Sequence, residues 1–141
     1  MTLWSLAEVA PHLGARVVGD ATVVPVSLSM DTRTLPAGAC FVAIRAERDG
    51  HGFAAQAVDK GAACLLVDHE LDLTCPQLIV GDTLEALQRW GQARLAAVAP
   101  GAVFGVTGSV GKTSTKELLA AAVGAWKTPG NRNNTFGMPE A

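Results

Sequence analysis

The run from Val103 reads Val-Phe-Gly-Val-Thr-Gly-Ser-Val-Gly-Lys-Thr-Ser, an order that suits phosphate chemistry. Gly108 and Gly111 let the backbone turn, so that several N–H groups of the loop Thr107-Gly108-Ser109-Val110-Gly111 face one point. A helix opening at Lys112 brings the partial positive charge of its N-terminus to the same place. Lys112 adds a full charge for β- and γ-phosphates. The Thr113 hydroxyl, followed by Ser114, can ligate a Mg²⁺ bridging them. The expected ligand is a nucleoside triphosphate, ATP with Mg²⁺, and Lys112 is the catalytic candidate. The general pattern G-x-x-x-x-G-K-[ST] wants glycine at 106, where this chain has Val106. A Gly-rich turn before an ordinary surface lysine is the plainer alternative.

Other polar groups are less specific. Asp31-Thr32-Arg33 can be a solvated turn with a local ion pair. His51 can be a loop histidine, Asp49 a loop carboxylate, and Phe53 the start of a helix core. Asn131, Asn133 and Asn134 follow Gly130, and Gly-Asn is common turn chemistry. His69 stands among Asp68, Glu70 and Asp72, but a single histidine in an acidic loop is usually solvated rather than metal-bound. Cys40, Cys64 and Cys75 have no metal spacing and read as buried thiols.

The elements that must position these groups alternate in type. Ser5-Leu6-Ala7-Glu8 is a capping box for a helix that Gly14 can stop. Ala15–Val18 and Val23–Leu28, parted by Gly19-Asp20, predict a small hairpin. Ala39–Ile44, Ala63–Val67 and Gln77–Val80 are short apolar strands, with a helix over 53–60 between the first two. Asp82 or Thr83 caps a long helix to about Val98, with Leu84, Leu87, Trp90 and Leu95 on its apolar side. The fold class is α/β: a small N-terminal domain with a mostly parallel sheet, then the opening strand (103–107), phosphate loop and helix (113–123) of a second unit. The expected division is 1–82 for the first domain, 83–100 for a connecting helix and 101–141 for the start of the second.

Of the 141 residues 49% are hydrophobic and 17% charged, a globular composition, and the net charge of -2 offers no basic stripe for nucleic acid. No apolar run approaches a membrane span, so membrane insertion is not expected. An odd cysteine count without a signal peptide points to the cytoplasm.

Thr107–Ser114 resembles the ATP loop of the Mur ligases, which also lack the first glycine of the general pattern. Thr128–Pro139 is similar to the T-x-G-N-x-N-N-x-x-G-x-P segment of the members that act on D-alanyl-D-alanine. Asp31-Thr32-Arg33, Pro36-Ala37-Gly38, Phe41-Val42-Ala43 and Asp49-Gly50-His51-Gly52-Phe53 resemble the N-terminal domain of those members. Thr32 stands where many relatives have Ser.

The resemblance implies an ATP-dependent amide ligase of peptidoglycan precursor synthesis. It would join D-alanyl-D-alanine to UDP-N-acetylmuramoyl-tripeptide through an acyl phosphate. It further implies that Thr32, Arg33, Asp49, His51, Phe53, Asn131, Asn133 and Asn134 contact the UDP precursor. The family has three domains, so this chain is expected to hold the first and the opening of the second, and to be inactive alone. Two alternatives stand beside it: a stand-alone UDP-sugar or nucleotide-binding module, and another Mur-like ligase of the folylpolyglutamate or cyanophycin type.

Overall fold

The computed structural model describes residues 4–128. Asn131, Asn133 and Asn134, predicted to contact substrate, lie outside the described residues.

Helix α1, Leu6–Leu13, begins as its sequence requires. The Ser5 side chain accepts from the Glu8 N–H, the Glu8 carboxylate accepts from Ser5, and Gly14 ends the helix at φ 63°. Strands β1 (Arg16–Val18), β2 (Leu28–Ser29), β3 (Cys40–Val42), β4 (Cys64–Val67) and β5 (Gln77–Ile79) make one sheet in the order β1-β5-β4-β3-β2. β2 to β5 run parallel, and β1 closes one edge antiparallel to β5. The mostly parallel sheet is therefore as expected.

The hairpin is not. β1 pairs with β5, with Arg16 opposite Ile79, whereas β2 pairs with β3 at the far edge. The residues between them serve α1 instead. Ala21 and Val23 turn their carbonyls to the Ala7 and Leu6 N–H groups, at 2.9 and 3.0 Å, satisfying donors that a helix start leaves unpaired. Pro25, which has no N–H, further spoils that run as a ladder strand.

The sheet buries both faces. Cys40, Val42, Cys64, Leu66 and Leu78 pack with α1 and the first half of α3 (Thr83–Val98), where Leu87 and Trp90 are wholly buried. On the other face Phe41, Ala43, Leu65 and Val67 meet Ala54 and Ala57 of α2 (Ala54–Asp59). This is why the strands read as continuous apolar runs rather than alternating ones. Asp82 caps α3, accepting from the Glu85 N–H at 2.8 Å. Leu95, expected on the apolar side, is half-exposed because the second half of α3 extends past the core. Gln77 is buried among these strands; its side chain accepts from the Leu71 N–H and donates to the Leu71 carbonyl, pinning that loop.

Helix α4, Lys112–Val123, opens at Lys112 directly behind the glycine loop. The strand expected over 103–107 is not paired among the described residues. A strand needs a neighbour, and both edges of the five-stranded sheet lie elsewhere in the chain. Val103, Phe104, Leu118 and Trp126 are all exposed.

Candidate functional site

Because β2, β3, β4 and β5 are parallel, the segments that follow them gather at one edge of the sheet, where α/β folds bind ligands. Asp31–Arg33 follows β2, Arg45–Phe53 follows β3, Asp68–Glu70 follows β4, and Gly81-Asp82 follows β5. Sequence-distant polar residues meet there.

In the first segment Asp31 organises its neighbour. Its carboxylate accepts from the Arg33 backbone N–H and Nε, both at 2.9 Å, and from Nη2 at 2.6 Å. These bonds hold the Asp31 carboxyl down at about 2. The Arg33 guanidinium remains largely open to solvent, fixed in direction rather than free. Thr32 is buried, and its hydroxyl donates to Gln56 Oε1 at 2.8 Å. Of this pair, Arg33 is thus available to an anionic ligand, while the Thr32 hydrogen is already committed.

The second segment is built round His51. A single 3₁₀ turn, Gly50–Phe53, starts on Asp49, whose carboxylate accepts from the His51 N–H. Gly50 has to be glycine because a Cβ there would lie 2.7 Å from the Ile44 nitrogen. The His51 ring is buried, with Nδ1 2.6 Å from Asp49 Oδ1 and Nε2 accepting from the Asp68 N–H at 3.1 Å. Both ring nitrogens are engaged inside the protein, so His51 joins two loops. Asp49 keeps an accessible carboxylate edge, and Phe53 is 39% exposed.

Arg45 and Asp68 belong to the same edge and were missed by the motif reading. Arg45 Nε donates to Asp68 Oδ2 at 2.5 Å, and this pairing holds the Asp68 carboxyl at about 2. Their signal was positional: each directly follows an apolar strand run. They line a cavity of about 200 Å³ with Gly81, Asp82, Thr83 and Leu84. A larger hollow, about 450 Å³, lies between the end of α1 and the start of α3 and touches none of the predicted site residues among those described.

His51, Asp68 and His69 bring potential metal-ligand atoms within 4.8 Å of one another. The chemistry disfavours a cation: the Nε2 lone pair of His51 is spent on the Asp68 N–H, and the Arg45 guanidinium already neutralises Asp68.

The phosphate-loop candidates lie together at the start of α4. Gly108 has φ 148° and Gly111 φ 79°, backbone regions open to glycine. Gly111 caps the helix with no side-chain hydrogen bond, unlike Ser5 and Asp82 at α1 and α3. The first-turn N–H groups are therefore not taken by a capping side chain. Lys112 Nζ folds back onto the Gly108 carbonyl, and Thr113 and Ser114 are exposed on the first turn. Val110 is exposed at the loop tip. This donor set fits the phosphates of a nucleotide, and the Thr113 hydroxyl fits a Mg²⁺ ligand.

No protein-family model matches the chain. The UDP-N-acetylmuramoyl-tripeptide–D-alanyl-D-alanine ligase of Escherichia coli is 40% identical over 96% of this chain, which spans 30% of that protein. The ligase of the same name from Bacillus subtilis is 37% identical over 98% of this chain and 32% of its own length. A MurF crystal structure from Acinetobacter baumannii superposes with TM-score 0.86 at 31% identity, covering 99% of this chain and 32% of that one. MurF from Thermotoga maritima, in complex with ADP, matches with TM-score 0.66 at 31% identity over 80% of this chain and 27% of that one. The chain spans about a third of the length of the relatives it matches. Matched along nearly all of its residues in both sequence and fold, this chain belongs to the Mur ligase family.

Proposed function

We propose that these residues are the precursor-binding and ATP-loop portion of a ligase that joins D-alanyl-D-alanine to UDP-N-acetylmuramoyl-tripeptide. The observation that carries the reading is the shared match to ligases of that name over nearly the whole chain, set beside a helix start whose glycine cap offers its N–H groups no capping side chain among the described residues. Residues 1–82 would hold the UDP precursor, 83–100 would connect, and 101–141 would open the ATP-binding domain. The ADP found in the Thermotoga relative supports the nucleotide half of the reading.

Phosphoryl transfer is mostly positioning and charge neutralisation. Lys112 would neutralise the transferring phosphoryl group, and the N–H groups of 108–111 would hold the phosphates. Mg²⁺, ligated by Thr113, would supply further charge. The precursor carboxylate would take the γ-phosphoryl group of ATP, with ADP leaving, to give an acyl phosphate; the dipeptide amine would then attack that carbonyl and lose a proton, forming the amide and releasing phosphate. Arg33, Asp49 and Phe53 would face the UDP portion. Among the described residues no helix is long and apolar enough to cross a membrane. A cytoplasmic reaction, where ATP is available, accords with this reading.

The test is calorimetry on the full-length polypeptide carrying these residues, titrated with UDP-precursor and with ATP. Binding of both, with phosphate release that depends on the dipeptide, supports the reading. Precursor binding without ATP binding leaves a UDP-sugar-binding module instead.

A further inference from the structure

Gln56 of α2 and Lys60, the residue that ends it, reach back to the loop after β2. Lys60, which follows the last residue of α2, donates from Nζ to the Thr32 carbonyl at 2.7 Å. Gln56, one turn earlier, accepts the Thr32 hydroxyl at 2.8 Å. Thr32 is thus held at its main chain and its side chain by one helix, 24 and 28 residues further along the sequence. The next residue is Arg33, whose guanidinium points where Asp31 fixes it and is 86% exposed. The Lys60 ammonium also lies near enough to Asp31 to add to the pull that keeps it ionised.

We propose that Gln56 and Lys60 are positioning residues for anion recognition by Arg33. They clamp Thr32, and the clamp sets the height of the loop at the sheet edge from which Asp31 directs the Arg33 guanidinium. Three features converge on this role. The loop 31–34 has no strand pairing to hold it. The Thr32 hydroxyl is buried and already bonded, so its partner is structural rather than ligand. A flexible guanidinium would lose rotamer entropy on binding, whereas a braced one has lost it beforehand. The proposal rests on the reading of this edge as the UDP-precursor site.

The experiment uses the full-length polypeptide carrying these residues and measures UDP-precursor affinity and KM for both ATP and precursor. The variants are Lys60→Met, Lys60→Arg, Gln56→Leu, Gln56→Glu and Arg33→Ala. Lys60→Met and Gln56→Leu should each weaken precursor binding by roughly threefold to tenfold, the worth of one hydrogen bond. KM for ATP should not move. Lys60→Arg, which restores a donor, and Gln56→Glu, which restores an acceptor, should recover most of the affinity.

Unchanged precursor affinity in both Lys60→Met and Gln56→Leu, alongside a clear loss in Arg33→Ala, would overturn the clamp and leave the site in place. Parallel loss of ATP and precursor affinity would assign the effect to folding and overturn it as well. No loss in Arg33→Ala would remove the site reading itself, and the clamp with it.

Discussion

The backbone N–H of Asp68 donates to Nε2 of His51 across 3.1 Å, tying the end of β4 to the turn after β3. The tie requires the proton of the neutral ring on Nδ1, where Asp49 accepts it. His51→Phe fills similar space but leaves a half-buried N–H without its partner. It should cost about 1–3 kcal/mol in urea unfolding. A loss below about half a kcal/mol would show that water replaces the ring at no cost.

The Asp68 carboxyl gives a pH signature. Its folded value, about 2, lies below the ordinary aspartate value of 3.8 because Arg45 hydrogen-bonds the ionised form. Its contribution to stability is therefore present in full above that ordinary value and is lost as pH falls toward about 2. The stability gap between the native sequence and Asp68→Asn should be open near neutrality and close through that acid window. A gap independent of pH would mean that the charge of Asp68 is not what Arg45 holds.

Gly50 tests close packing. Gly50→Ala places a methyl group 2.7 and 2.8 Å from the Ile44 nitrogen and oxygen, and the Gly50 N–H bonds that same oxygen. The turn has to shift, at about 1–3 kcal/mol, the range of overpacked sites. Because the turn carries Asp49 and His51, precursor affinity should fall as well. Thermal unfolding and calorimetry on the one variant report both.

Lys112→Ala should lower ligase turnover by at least roughly 10²-fold, the scale for removing one transition-state charge contact. UDP-precursor affinity should stay within about twofold, since Lys112 makes its described hydrogen bond to Gly108 and none to the sheet edge. Equal loss of both would contradict the separation of the two sites.

Local chemistry was the legible part of this fold. The Ser5–Glu8 box, the Asp82 cap and the glycine stops each depend on neighbours within a few residues, and each is where its residues place it. The hairpin failed for the opposite reason. Gly19-Asp20 is a sound turn signal, but the choice between pairing with Val23–Leu28 and pairing with β5 is a contest decided by residues sixty positions away. At the site, Arg33 was readable as a charge beside an aspartate. The internal engagement of His51 was not, because its partner at Asp68 comes into reach only when β3 and β4 align. Arg45 and Asp68 carry no motif; their meaning comes from standing at the ends of parallel strands.

The placement of β1 also has a consequence for the order of events during synthesis. Arg16 leaves the ribosome early, yet the strand that receives it, ending at Ile79, is made last of the five. Until then α1 can form its capping box, but Leu6, Val9 and Leu13 have neither Leu78 nor Trp90 to pack against. The nascent chain therefore carries an incompletely covered apolar helix through most of the translation of this unit. Closure of the sheet edge should be a late, nearly all-or-none step, and chains halted before residue 79 should be the ones that chaperones hold.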